Sequence, residues 1–200
     1  MVDADSSLSG VVKIREGTLA SAGFVFSECD NITSIHVPSS MRGLSDQCFD
    51  GCKSLETVTG MENVEYIGVM AFYNTKIESL NQNAPFYLNN CLIGKNGEED
   101  NFVVADGTRV IASYAIGSTK TLTIPASVRY INDCAVSYCD SLETVTVLAT
   151  QPPKIEKYSF SIVTTKPELS TATFVVPKGT LALYQSTEYW KDLNLVEASV

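Results

Sequence analysis

The chain has 200 residues, 44% of them hydrophobic and 18% charged, with a formal net charge of -9, which is apolar material for one sizeable domain or two small ones. A nucleic acid or an anionic membrane is disfavoured as a partner, because a phosphate surface is bound through clustered Lys and Arg that release its counterions. No run approaches the roughly 18 apolar residues of a membrane-spanning helix; the longest candidates are short pieces such as residues 24–26 and 102–105.

In chain order, residues 1–10 are small and polar, without the basic start and apolar middle of a secretory signal. A cytoplasmic chain reads this way, and so does an exported one whose signal lies upstream. Residues 11–14 form a candidate strand. Residues 16–26 are expected to hold a short helix opened by Thr18 as N-cap, with Leu19, Ala22 and Phe26 on one side. Together residues 10–30 read as an N-terminal cap.

From residue 32 onward the chain repeats itself. A shift of 87 residues carries Ile35, Val37, Pro38, Met41, Leu44, Cys48, Phe49 and Cys52 onto Leu122, Ile124, Pro125, Val128, Ile131, Ala135, Val136 and Cys139. A shift of 23 carries the first unit onto Leu55, Val58, Val64, Ile67, Ala71 and Phe72, and a shift of 20 back from the later unit reaches Phe102, Val104, Ile111, Ala115 and Ile116. Repeats of this length fall in the leucine-rich-repeat range. Each unit supplies a short strand and a return segment, and its apolar side is covered only by the next coil. Ile35 and Val37 alternate with His36 as a half-buried strand requires, and Pro38 ends the strand because it has no N–H for the ladder. Leu44 and Phe49 return to the core on the opposite side of the coil.

The segments 35–52 and 122–139 that carry this pattern resemble the BspA-type leucine-rich repeat, and the resemblance covers about residues 31–160. It implies an α/β repeat fold, a leucine-rich-repeat solenoid with short strands per coil and atypical N- and C-terminal caps. It also implies export to the surface of gut and oral anaerobic bacteria, where some members act as adhesins for host or matrix proteins. The pattern breaks at residues 81–101, around Ala84-Pro-Phe-Tyr and Lys95-Asn-Gly-Glu-Glu-Asp100, where a protruding loop or hairpin is expected.

Towards the end, Pro152-Pro153 and the Ser/Thr/Pro-rich residues 161–173 read as a loop. A C-terminal cap at 174–200 follows. Its strand runs from Phe174 to Pro177, and a helix carries Leu181, Tyr184 and Trp190, an ending that resembles the usual terminal cap of the same family. Trp190 is expected to plug the cap rather than stack on a ligand. The repeats then span 31–173, with the insertion at 81–101, and the chain reads as one domain, 1–200.

The six cysteines invite a metal or disulfide reading, and Cys48 with Cys52 and Cys134 with Cys139 superficially show ligand spacing. The repeat removes most of that appeal. Cys29, Cys52 and Cys139 each stand three residues before an aliphatic strand opener (Ile32, Leu55, Leu142), and Cys48 takes the small position held elsewhere by Ala71, Ala115 and Ala135. They are expected in the core as small hydrophobes. Coils stacked at about 4.7–4.9 Å would also bring Cys29 and Cys52 within disulfide reach.

His36 is the only histidine, so no triad with a second histidine and no His-rich metal site can be assembled. A pair of His36 with Cys52 is disfavoured, since one faces out and the other in. Gly94-Lys95-Asn-Gly97 lacks the spacing of a phosphate-cradling loop. Glu98-Glu-Asp100 with Asn96 reads as a solvated loop tip, with a calcium site as the functional alternative. No catalytic set, resident metal or cofactor is expected.

The remaining candidates are the outward strand positions: Ser34, His36, Thr57, Thr59, Thr121, Thr123, Thr144 and Thr146, with Ser79 beside them. Stacked, they would form a hydroxyl-rich face bordered by Glu56, Glu78 and Glu143, although threonine is also simply a good exposed strand former. Three readings follow. The first is a non-enzymatic binding or adhesion module, a monomer, secreted or at the cell surface, that recognises a protein or glycan through this face or the 81–101 insertion. The second is a structural spacer or scaffold segment of a larger envelope protein. The third, an enzyme with its site in the insertion, has the least support.

Overall fold

A computed structural model describes residues 7–82, 85–97, 99–160 and 172–199. The chain forms two compact units, Met1–Asn96 and Gly97–Val200.

In the first unit the parallel strands β1 (Gly10–Lys13), β2 (Ile32–His36) and β4 (Thr57–Thr59) make one sheet in that order. The two-residue strands β3 (Gly43–Leu44) and β5 (Tyr66–Ile67) pair on the return side of the coils. The register is the sequence repeat itself: Ile35 lies beside Val58 and Leu44 beside Ile67. Hydrogen bonds therefore run from coil to coil even outside the strands, as from Gln47 N to Val69 O (2.9 Å), Phe49 N to Ala71 O (3.0 Å) and Gly51 N to Tyr73 O (3.0 Å). Equivalent side chains stack as well. The rings of Phe26, Phe49 and Phe72 follow one another at 5.4 Å with nearly parallel planes, above buried Ile32, Ile35, Leu44, Leu55, Val58 and Ile67. Each such side chain contributes about 1.5–3 kcal/mol by leaving water.

The helix expected at 16–26 does not form. Phe24 N donates to Asp46 O, Phe26 N donates to Cys48 O, and Ala20 bridges to Gly43. A helix would satisfy those donors internally; here the carbonyls of the following coil do so, and these residues form a further coil. Leu19, expected on one side of that helix with Ala22 and Phe26, is 67% exposed.

Coils turn their corners at left-handed residues instead: Phe24, Gln47 and Met70 at φ 60°, 52° and 53°, then Glu28, Gly51 and Asn74 at φ 58°, 75° and 55°. Among the described residues, helix in this unit is limited to one turn, α1 (Lys76–Ser79), and a 3-10 turn at Met61–Asn63. Thr75 caps α1 by accepting from Glu78 N (3.2 Å), while the Glu78 carboxylate accepts from Asn74 N (2.8 Å), a reciprocal capping arrangement. Ser79 consequently belongs to a helical turn, not to the strand face, and Glu78 serves the cap rather than a border of that face.

The 81–101 interruption contains an antiparallel hairpin, β6 (Phe86–Leu88) and β7 (Cys91–Gly94), turned at Asn89 with φ 51°. It does not protrude as expected: Phe86, Leu88, Cys91 and Leu92 are buried, and Asn96 donates through Nδ2 to Asn81 O at 2.7 Å. The apolar content of both strands drives the hairpin inward.

The second unit carries a five-stranded parallel sheet in the spatial order β8 (Asn101–Val103), β10 (Thr121–Ile124), β12 (Thr144–Val147), β14 (Thr173–Val176), β15 (Leu195–Glu197). On its return side, two-residue strands β9 (Val110–Ile111), β11 (Tyr130–Ile131) and β13 (Lys154–Ile155) pair in sequence order. Leu122 lies beside Phe102 and Ile131 beside Ile111, as the 20-residue shift requires, and Val145, 23 residues on, lies on the other side of Leu122.

At the far end, α2 (Leu181–Ser186) stops before Trp190, which sits on a 3-10 turn, Trp190–Asp192, entered through Tyr189 at φ 62°. Trp190 is fully buried, donates from Nε1 to Pro153 O at 2.8 Å and meets Tyr184 edge-on at 5.0 Å. The Tyr184 hydroxyl donates to Ala149 O at 2.7 Å. Trp190 thus plugs the cap, although not from the helix that was to carry it. Most of the expected 161–173 loop, residues 161–171, lies outside the described residues.

Each unit is a solenoid of short parallel strands with little helix. Among the described residues no helix is long and apolar enough to cross a membrane.

Candidate functional site

Strand alternation sends every second side chain outward, and the eight predicted residues fall into two groups of four, one in each unit. In the first unit the register aligns Val11, Ser34 and Thr57 in one row and Lys13, His36 and Thr59 in the next. His36, Thr57 and Thr59 are exposed and Ser34 is half-buried. His36 Nδ1 lies 3.0 Å from Thr59 Oγ1. Gly60 closes this edge at φ 83°, where an added Cβ would run into the Val37 carbonyl oxygen. Only glycine lets the chain leave β4 so close to β2.

In the second unit the register builds two longer rows. One reads Asn101, Thr121, Thr144, Thr173; the other reads Val103, Thr123, Thr146, Val175, Val196. Between them Phe102, Leu122, Val145 and Phe174 point into the core. The first row is laced sideways: Thr121 Oγ1 donates to Asn101 Oδ1 at 2.8 Å, and Asn194 Nδ2 donates to Thr173 Oγ1 at 3.3 Å. The second row adds methyl groups, with Val103 65% and Val196 39% exposed at its ends. Thr121, Thr123, Thr144 and Thr146 are half-buried rather than exposed, because parallel strands at about 4.8 Å cover one another's flanks. Asn101, Val103, Thr173, Val175 and Val196 were missed by the sequence reading. The shift that carried Phe102 onto Leu122 already placed Asn101 and Val103 beside Thr121 and Thr123.

The acidic border is partial. Glu56 pairs with Lys76, Glu143 is exposed, and Glu78 belongs to the helix cap. None of the six cysteines is in a disulfide, and five of them are buried, so Cys29 and Cys52 are not joined. Burial pushes the Cys48 and Cys52 thiols up to about 12, and the Cys52 thiol donates to Phe26 O at 3.0 Å. Cys52 faces the core while His36 faces solvent, so the two do not form a nucleophile pair. Of the acidic tip expected as a calcium alternative, Glu98 lies outside the described residues, and the Asp100 carboxylate is drawn to Lys120 Nζ at 2.6 Å. Among the described residues no three acidic, His or Cys side chains gather to hold a metal.

Comparison with known proteins bears on this arrangement. A family model described as BspA type leucine rich repeat region matches residues 9–97 and 89–176, in six copies. No curated protein matches the chain. Among solved structures, a leucine rich cell surface protein from Faecalibacterium prausnitzii A2-165 is 15% identical over 98% of this chain, with a TM-score of 0.37. A leucine-rich repeat protein from Eubacterium ventriosum ATCC 27560 is 20% identical over 86% of this chain, with a TM-score of 0.37. One from Bacteroides ovatus ATCC 8483 is 13% identical over 98% of this chain, with a TM-score of 0.35. The chain spans 61%, 50% and 53% of the lengths of these three.

Proposed function

Because the chain belongs to the BspA-type leucine-rich repeat family, we propose that it is a non-enzymatic recognition module, secreted or displayed at the bacterial cell surface, that binds a protein or glycan through its strand faces. The observation that carries this reading is the paired row of residues on the second unit, with Thr123, Thr146, Val103, Val175 and Val196 aligned strand by strand. Threonine and valine are stiff at χ1, so a partner docking on them freezes few rotamers, and the ordering cost of association is small. The rows offer both halves of a recognition surface. Their methyl groups give area to bury, and their hydroxyl oxygens give polar points that fix register. Repeat proteins generally bind on such extended faces.

The test places charge in the middle of the face. Thr123→Lys together with Thr146→Lys leaves the inward residues untouched. Binding of wild type and variant is measured by biolayer interferometry on immobilised extracellular-matrix glycoproteins and host-cell glycans. Wild type is expected to bind at least one of them, and the double variant at least about ten-fold more weakly, the scale of one hot-spot side chain. Equal affinities, or no binding by wild type, would overturn the reading.

A further inference from the structure

We propose that a groove beside Tyr138, at the corner of the second unit that leads into β8 and β10, binds an uncharged saccharide. This rests on reading the chain as a recognition module and adds a second, separable site with its own ligand chemistry.

The first observation is where the aromatic residues stand. Tyr114 and Tyr138 occupy left-handed corner positions, at φ 58° and 55°. The backbone shape there recurs in other coils, at Phe24, Glu28, Gln47, Met70 and Asn74. The choice of tyrosine does not follow from it. A bulky side chain in this conformation costs on the order of 1 kcal/mol, and Asn or Gly would sit there with less strain. Nor is that cost offset by burial, for Tyr138 is 61% and Tyr114 42% exposed. Their rings lie 6.1 Å apart at 35°. The Tyr114 ring thus flanks the Tyr138 ring.

The second observation is what surrounds the exposed ring. A groove of about 310 Å³ opens beside it, lined by Tyr138 with Asp100, Lys120, Ser118, Asp140 and Ser141. That volume is at the lower end of the roughly 300–1,000 Å³ of small-molecule clefts. Lys120 pairs with Asp100 at 2.6 Å, and that carboxylate raises the ammonium's pKa. The wall therefore presents carboxylates that accept, an ammonium that donates, and serine hydroxyls that do both. A pyranose matches that set: its hydroxyls donate and accept around the ring edge, and its C–H face lies against an aromatic plane. A phosphate or an acidic sugar would meet Asp100 and Asp140 on a chain of net charge -9. An apolar ligand would leave those polar groups desolvated and unpaired.

The test titrates the whole chain with lactose, maltotriose, mannotriose and N,N′-diacetylchitobiose, with sialyllactose as the anionic arm, followed by amide NMR. At least one neutral sugar is expected to shift the amides of Ser118, Tyr138 and Asp140, with sialyllactose no tighter than lactose. Tyr138→Asn removes the ring while suiting the left-handed backbone, so the fold is kept. It should weaken binding at least about ten-fold, whereas Tyr138→Phe retains it and Asp140→Asn weakens it. Thr123→Lys with Thr146→Lys should leave it unchanged. Absence of any groove shift, equal binding by Tyr138→Asn, or tighter binding of sialyllactose would overturn the proposal. If the groove stays silent while the strand-face variant still loses its partner, this site fails and the recognition reading stands.

Discussion

Position 48 illustrates how a coil position selects its residue. Other coils carry Ala71, Ala115 and Ala135 there, all buried, and Cys48 is buried in the same way. A thiol is tolerated because it behaves as a small hydrophobe, and burial has a consequence for stability. The native Cys48 thiol keeps its proton to about 12, against an ordinary value of 9.0. Between those values the folded chain binds more protons than the unfolded one, so stability falls as pH rises, by about 1.4 kcal/mol per pH unit for such a thiol. Cys48→Ala is expected to cost about 1 kcal/mol at pH 7 and to flatten that decline. Urea melts of both proteins between pH 8 and 11 measure this; parallel slopes would show that the Cys48 thiol is not the titrating group.

The Phe26, Phe49 and Phe72 stack is the element that ties three successive coils of the first unit together. Phe49 is the middle member, wholly buried, so Phe49→Ala removes contacts to coils on both sides and is expected to destabilise by about 3–5 kcal/mol in denaturant titration. This stack was legible in the sequence, because the 23-residue shift carries Phe49 onto Phe72. The same shift applied backwards reaches Phe26 and Cys29 and would have identified residues 10–30 as a coil. Local signals pointed elsewhere: Thr18 followed by Leu19 and Ala20 reads as a capped helix start, and propensity is indifferent to the carbonyls of Asp46 and Cys48 that a later coil supplies. Left-handed corners at Phe24, Met70, Tyr114 and Tyr138 were equally hidden, since no glycine marks them. Of the candidate face, positions and register were readable from alternation. The half-burial of its threonines was not, because it depends on the neighbouring strands.

At the scale of the whole molecule, the two units repeat one construction, in which inward rows of aliphatic and aromatic residues hold the coils and outward rows stay at the surface. The composition limits what can dock there. With a net charge of -9, the surface suits partners that are neutral or basic, and the exposed Val103 and Val196 at the ends of the second unit's methyl row favour a partner that also buries apolar area. Recognition through these rows makes a direct prediction for threonine methyl groups, which occur both on the face and inside the coils. In a methyl-labelled threonine spectrum, titration with a partner found on the glycoprotein and glycan panel should shift Thr121, Thr123, Thr144 and Thr146. Thr75 and Thr108, which are buried, should stay in place. Shifts confined to those two, or none on the face at saturation, would contradict recognition through the strand rows.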